Sequence, residues 1–108
     1  MTLATTPPAL DHGLSADDLA ILRTTLAPYR DRLTRIALYG SRATGRWRPW
    51  SDIDLLLDSP LTDTEAAAIR LALEDSLLPV TVDVTLYRTI IGTGLQDHID
   101  TAARELVL

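Results

Sequence analysis

A glycine-serine pair, ten intervening residues, and then two aspartates one residue apart limit what this chain can be more than any other feature. The stretch reads GSRATGRWRPWSDIDLLLD, with the pair at Gly40-Ser41 and the acids at Asp52 and Asp54. On an extended segment alternate side chains share a face, so Asp52 and Asp54 point one way while Ile53, Leu55 and Leu57 point the other. Two carboxylates that close repel unless positive charge lies between them. A divalent cation relieves that repulsion, and hard oxygen donors suit magnesium. Alone, the pair fits a solvated strand edge equally well. The metal reading draws its weight from what precedes it.

What precedes it fits a phosphate. Arg35–Tyr39 (RIALY) reads as a short strand running into Gly40, where the backbone can turn sharply and approach a ligand closely. Ser41 is expected to cap the helical turn that follows, with Gly45 ending it. The free N–H groups at a helix start suit a phosphate, and Arg42 adds a planar fork beside them. Acids for a cation, a phosphate cradle and a short loop between them make a nucleoside triphosphate site.

The rest of the chain supplies one domain around that stretch. Its 108 residues suffice for a core. With no cysteine, disulfides and thiolate metal sites are excluded, which suits a cytoplasmic setting. No signal peptide and no membrane-spanning run is read. The net charge of −5 makes non-specific nucleic-acid binding a poor expectation. Every basic residue is arginine, and Arg42, Arg46 and Arg48 gather near the proposed phosphate turn.

Residues 1–13 read as a flexible N-terminal tail, and 14–108 as the folded domain. Leu14–Leu33 is expected to be helical, opened by a Ser15/Asp18 capping box and interrupted near Ala27 by Pro28. Strands are expected at Ile53–Asp58 and Val80–Tyr87. Between them lies a helix over Thr62–Leu77, with Thr62 and Glu65 as its capping box. A third helix is expected over Leu95–Arg104, and a short closing strand at Leu106–Leu108. These elements imply an α+β fold, a small mixed sheet packed on helices on one face, with the carboxylate-bearing face open.

The Gly40-Ser41 and Asp52-Ile53-Asp54 pattern resembles the signature of the polymerase-beta-like nucleotidyltransferase superfamily. In the short chain and the wording GSRATG…SDIDLLL it most resembles the minimal nucleotidyltransferases (MNT proteins). The resemblance covers Arg35 to Tyr87. It implies a third carboxylate on a later strand, matched by Asp83 in VTVDVTLY, which either completes a second metal site or acts as base toward the attacking hydroxyl. It also implies Mg2+ and ATP, with Asp52, Asp54 and Asp83 as metal and catalytic residues and Gly40, Ser41 and Arg42 toward the phosphates. Two cations roughly 3.5–4 Å apart would stabilise attacking and leaving oxygens in an in-line displacement.

MNT proteins are often antitoxins paired with a helical HEPN-domain ribonuclease. The resemblance therefore implies AMP transfer from ATP to a tyrosine of a HEPN toxin. Two alternatives stay open: a non-catalytic antitoxin that occludes its toxin, and a stand-alone small-molecule nucleotidyltransferase. Trp47 and Trp50 are read either as interface anchors or as packing on the sheet rim. Tyr87 is read as structural, His12 and His98 as incidental, and Asp58 as solvated surface.

Overall fold

A computed structural model describes residues 11–108. Its first helix, α1 (Ala16–Leu26), begins where its cap chemistry dictates. Asp18 N donates to Ser15 Oγ at 3.0 Å, and Ser15 N donates back to the Asp18 carboxylate at 3.1 Å. Leu22 and Leu26 are buried, each contributing on the order of 1.5–3 kcal/mol. The helix then tightens into a 3-10 turn over Ala27–Arg32, with Pro28 in its first turn. Proline lacks the N–H that a continuing α-helix needs, which is why the expected interruption falls there.

The chain enters β1 (Arg35–Tyr39), turns through the one-turn helix α2 (Ser41–Thr44), and returns as β2 (Ile53–Asp58). These strands pair antiparallel, with Arg35 opposite Asp58 and Tyr39 opposite Asp54. Next comes α3 (Asp63–Glu74), capped by Thr62 and Glu65 as expected. It ends three residues before Leu77, where Ser76 Oγ donates to the Leu73 carbonyl at 2.6 Å and offers the backbone a turn instead. Glu65 also pairs with Arg32, and that bond holds its carboxyl down to about 2 from 4.5.

A parallel neighbour requires a crossover, and α3 supplies it. The next strand, β3 (Val82–Leu86), lies parallel to β2. It is shorter at both ends than the alternation of residues 80–87 suggests, since Tyr87 already begins a 3-10 turn. Helix α4 (Gly94–Ala102) and the two-residue β4 (Arg104–Glu105) complete the fold. The sheet order is β3-β2-β1-β4. The closing strand lies upstream of the expected 106–108, because Leu106 turns into the core. Its N–H still donates to Ile36 O at 2.9 Å.

The sheet divides two cores. Ile36, Leu38, Ile53, Leu55, Leu57, Val84 and Leu86 pack beneath α1 and α3. On the other face Ala37 and Leu56 meet Ile90 and Ile99. The α+β class and the mixed sheet are as expected, but α4 covers one part of the second face. Toward the β1–α2 turn that face carries half-buried Tyr39 and Asp54 and exposed Asp83. At the β3 edge, Arg70 reaches from α3 and donates through Nε and Nη2 to the Val84 carbonyl at 3.2 and 2.8 Å. No helix among the described residues is long and apolar enough to cross a membrane.

Candidate active site

The β1–α2 turn begins with Gly40. Its φ of 69° and ψ of −150° fall in a region essentially reserved for glycine. Its carbonyl accepts from Ala43 N at 3.1 Å and Thr44 N at 3.2 Å, which starts α2. Gly45, at φ 80°, ends that helix. A second constraint acts on the same residue: a Cβ there would overlap the Asp54 carboxyl. Glycine is therefore needed both to turn the chain and to let Asp54 sit against the turn.

The structure alters the expected role of Ser41. Gly40 is the cap residue, and no side-chain hydrogen bond caps α2. Ser41 is the first helical residue, and among the described residues its hydroxyl has no hydrogen-bond partner.

Asp54 is opposite Tyr39 on one side and opposite Asp83 on the other. One rung of the sheet thus reads Tyr39, Asp54, Asp83. Neighbouring strands stand roughly 4.8 Å apart, so the two carboxylates share a face at close quarters. Asp52 sits just before β2 and is exposed, as is Asp83, whereas Asp54 is half-buried. Burial, followed by the charges of Asp83 and Asp52, raises the Asp54 pKa above the usual carboxylate range. Asp83 and Asp52 therefore both bear electrostatically on Asp54.

An all-oxygen set under mutual repulsion fits a hard divalent cation. The set is not closed in advance, since no group of three or more acidic, histidine or cysteine side chains among the described residues is gathered tightly enough to hold a metal.

Tyr39 is the site residue that sequence reasoning overlooked. Its hydroxyl lies 2.9 Å from Thr85 Oγ1, so the side chain reaches across the central strand from β1 to β3. Burial, together with Asp54 and Asp83, raises its pKa even though the bond to Thr85 opposes the shift. The available signal was position, since the residue before Gly40 must stand beside the aspartate strand in an antiparallel return.

Arg42 is placed differently from the expectation. It is 3% exposed. Its Nη2 and Nε donate to the Ser51 carbonyl at 2.9 and 3.3 Å, and its Nη1 donates to His12 O at 2.9 Å. The guanidinium also lies 5.5 Å from the centre of the Trp47 ring. The planar fork anticipated for phosphate is engaged by backbone carbonyls.

Trp47 in turn donates from Nε1 to Asp11 O at 2.8 Å, and a Cβ on Gly13 would come within 2.5 Å of its ring. The end of the expected tail, residues 11–13, is therefore held against the site loop, while residues 1–10 lie outside the described residues. Trp50 projects into solvent at 75% exposure, and Arg46 and Arg48 are exposed.

Tyr87 is structural, donating to Asp100 at 2.7 Å and accepting from Gln96 Nε2 at 3.1 Å. His98 is exposed on α4. Asp58 is half-buried at the far end of β2, opposite Arg35 rather than beside the other acids.

The mixed four-stranded sheet with its helical layers is a nucleotidyltransferase fold. The chain belongs to the nucleotidyltransferase domain family, whose model matches residues 21–108. The comparison with curated proteins gives no match. Among solved structures the chain is similar to one described as "Crystal structure of the toxin-antitoxin with AMP-PNP". The TM-score is 0.65 at 24% identity, over 82% of this chain and 71% of that one. At that identity the likeness speaks for the fold.

Proposed function

We propose that this chain is a minimal nucleotidyltransferase that acts as an antitoxin, transferring AMP from ATP to a tyrosine of a HEPN-domain toxin in the cytoplasm. The observation that carries the reading is the single rung holding Asp54 and Asp83 together, with Asp54 seated against Gly40. Family membership supports nucleotidyl transfer. The neighbour's description as a toxin–antitoxin with AMP-PNP supports the partner and the nucleotide.

Gly40 and Ser41 present backbone N–H groups and a free hydroxyl to the phosphates. Asp52 and Asp54 would hold Mg2+, with Asp83 completing the set; the ion would neutralise phosphate charge during displacement. The acceptor hydroxyl oxygen forms a bond to the α-phosphorus as the bond to pyrophosphate breaks. Where it does not complete the metal set, Asp83 would instead act as the base that takes the hydroxyl proton. Arg42 supports the loop that carries Asp52.

The test is co-expression with a HEPN-domain partner and measurement of the partner's intact mass. AMP-sized additions that disappear with Asp54→Asn support the enzyme. Full neutralisation of the partner by Asp54→Asn, with no added mass, would replace transfer by occlusion. The carboxylates' not being closed in advance gives that second reading its footing.

A further inference from the structure

Three adjoining depressions, of about 420, 560 and 340 Å3, run along one side of the molecule. Pro79 is shared by the first and second, and Ala20 and Ile21 by the second and third, so the three adjoin in a row, taken together below as a groove. It starts at Trp50 and Asp52 and ends along α1 at Thr24 and Thr25.

Its chemistry departs from that of the whole surface. Leu77, 92% exposed, and Trp50, 75% exposed, both border it. The charges along it are all negative: Asp52 and Glu74 at one end, Asp17 and Asp18 in the middle. Among the described residues none of the chain's arginines lines it, although ten of the 108 residues are arginine.

We infer that this groove docks a partner protein through an apolar segment bearing arginine or lysine. Exposed leucine and tryptophan supply the apolar anchors, and the four acids of the first two depressions, with no cation among them, select a cationic rim. The same lining repels nucleic-acid phosphate and anionic lipid, which argues for protein over either. Because the groove begins at Asp52, a docked partner would reach that acid of the candidate site. The partner's being a toxin rests on the function proposed above; the surface does not.

The test uses two synthetic amphipathic peptides of about 18 residues, with the same leucine face and either lysine or glutamate on the other. Backbone NMR shifts and tryptophan fluorescence of the full chain are the readouts. The lysine peptide is expected to shift Ile21, Leu77 and the Trp50 indole and to move the emission to the blue, while the glutamate peptide does neither. Leu77→Asp with Glu74→Arg should weaken binding roughly tenfold or more. Asp17→Arg, which leaves every apolar contact in place, should weaken it several-fold. Equal binding of both peptides, shifts away from the groove, or binding indifferent to these variants would overturn the inference. AMP-PNP titration of the same samples separates the two ideas. Loss of nucleotide binding in the unaltered chain counts against transfer and leaves the groove standing, whereas retained nucleotide binding with no peptide binding counts against the groove alone.

Discussion

Two charged regions flank the Gly40 turn, and they are built on opposite rules. On one side Arg42 is buried with its guanidinium engaged by the Ser51 and His12 carbonyls and stacked near Trp47. On the other, Asp54 shares a rung with Asp83, feels Asp52, and has no positive partner among the described residues. A satisfied buried charge stiffens a fold, because removing either partner exposes the other's desolvation cost. An unsatisfied cluster costs stability and persists where something else brings the compensating charge. Position in the sequence did not separate these roles, since Arg42 is adjacent to Ser41. The hydrogen-bond partners separate them.

The largest expected effect tests the acidic side. Asp54→Asn should lower AMP transfer by roughly 10²–10⁴-fold, measured by intact mass of the acceptor over time, with the fold unchanged by circular dichroism. A variant that kept its rate would remove Asp54 from the chemistry.

Next is the cationic side. Arg42→Ala should destabilise the domain by about 2–4 kcal/mol in denaturant unfolding, since two carbonyls lose their donor and a buried stem loses its packing. It should also release residues 11–13, seen as faster amide exchange at Gly13. Transfer measured below the new unfolding temperature should survive far better than in Asp54→Asn. A selective loss of nucleotide affinity instead would return Arg42 to the phosphates and dissolve the contrast.

Gly40→Ala comes third. It imposes a left-handed φ on a residue with a side chain and drives that side chain into Asp54. Its cost should be about 1–3 kcal/mol, and because Asp54 must move, activity should fall more than stability does.

The smallest effect gives the contrast its sign. The Asp54 carboxyl is raised, so the folded state holds its proton more tightly than the unfolded chain does. Its contribution is favourable at low pH and is lost as pH rises from the unfolded value through the folded one. Without divalent cations, Asp54→Asn should therefore be slightly more stable than the parent at neutral pH, by well under ~1 kcal/mol given its partial exposure. The gap should vanish below pH ~4 and reverse when Mg2+ is added. Equal melting temperatures for the two proteins from acid to neutral pH would mean the acids do not repel.

Elements whose ends are marked by local chemistry were legible in advance. β1 and β2 match the reading because the Gly40 turn ends the first and the alternation from Asp52 marks the second. Both capping boxes form because their partners lie three residues apart. The misjudged ends depend on distant partners. α3 stops early through a serine–carbonyl bond, and the closing strand is displaced because Leu106 finds the core.

The candidate site divides the same way. The face shared by Asp54 and Asp83 follows from two-residue alternation together with a parallel register. Arg42 and Trp47 could not be assigned from local pattern, because their partners at residues 11 and 12 lie about thirty positions away. Tyr39 escaped notice because its work is done across two strands.

The clasp of Arg70 on the Val84 carbonyl has a consequence for assembly. An incoming strand seeking to lengthen the sheet beyond β3 would find that acceptor occupied by a forked cation, and would have to displace it before forming a ladder. Growth into stacked or swapped copies is obstructed at that margin, so association is channelled toward lateral surfaces where side chains, rather than main chains, choose the company.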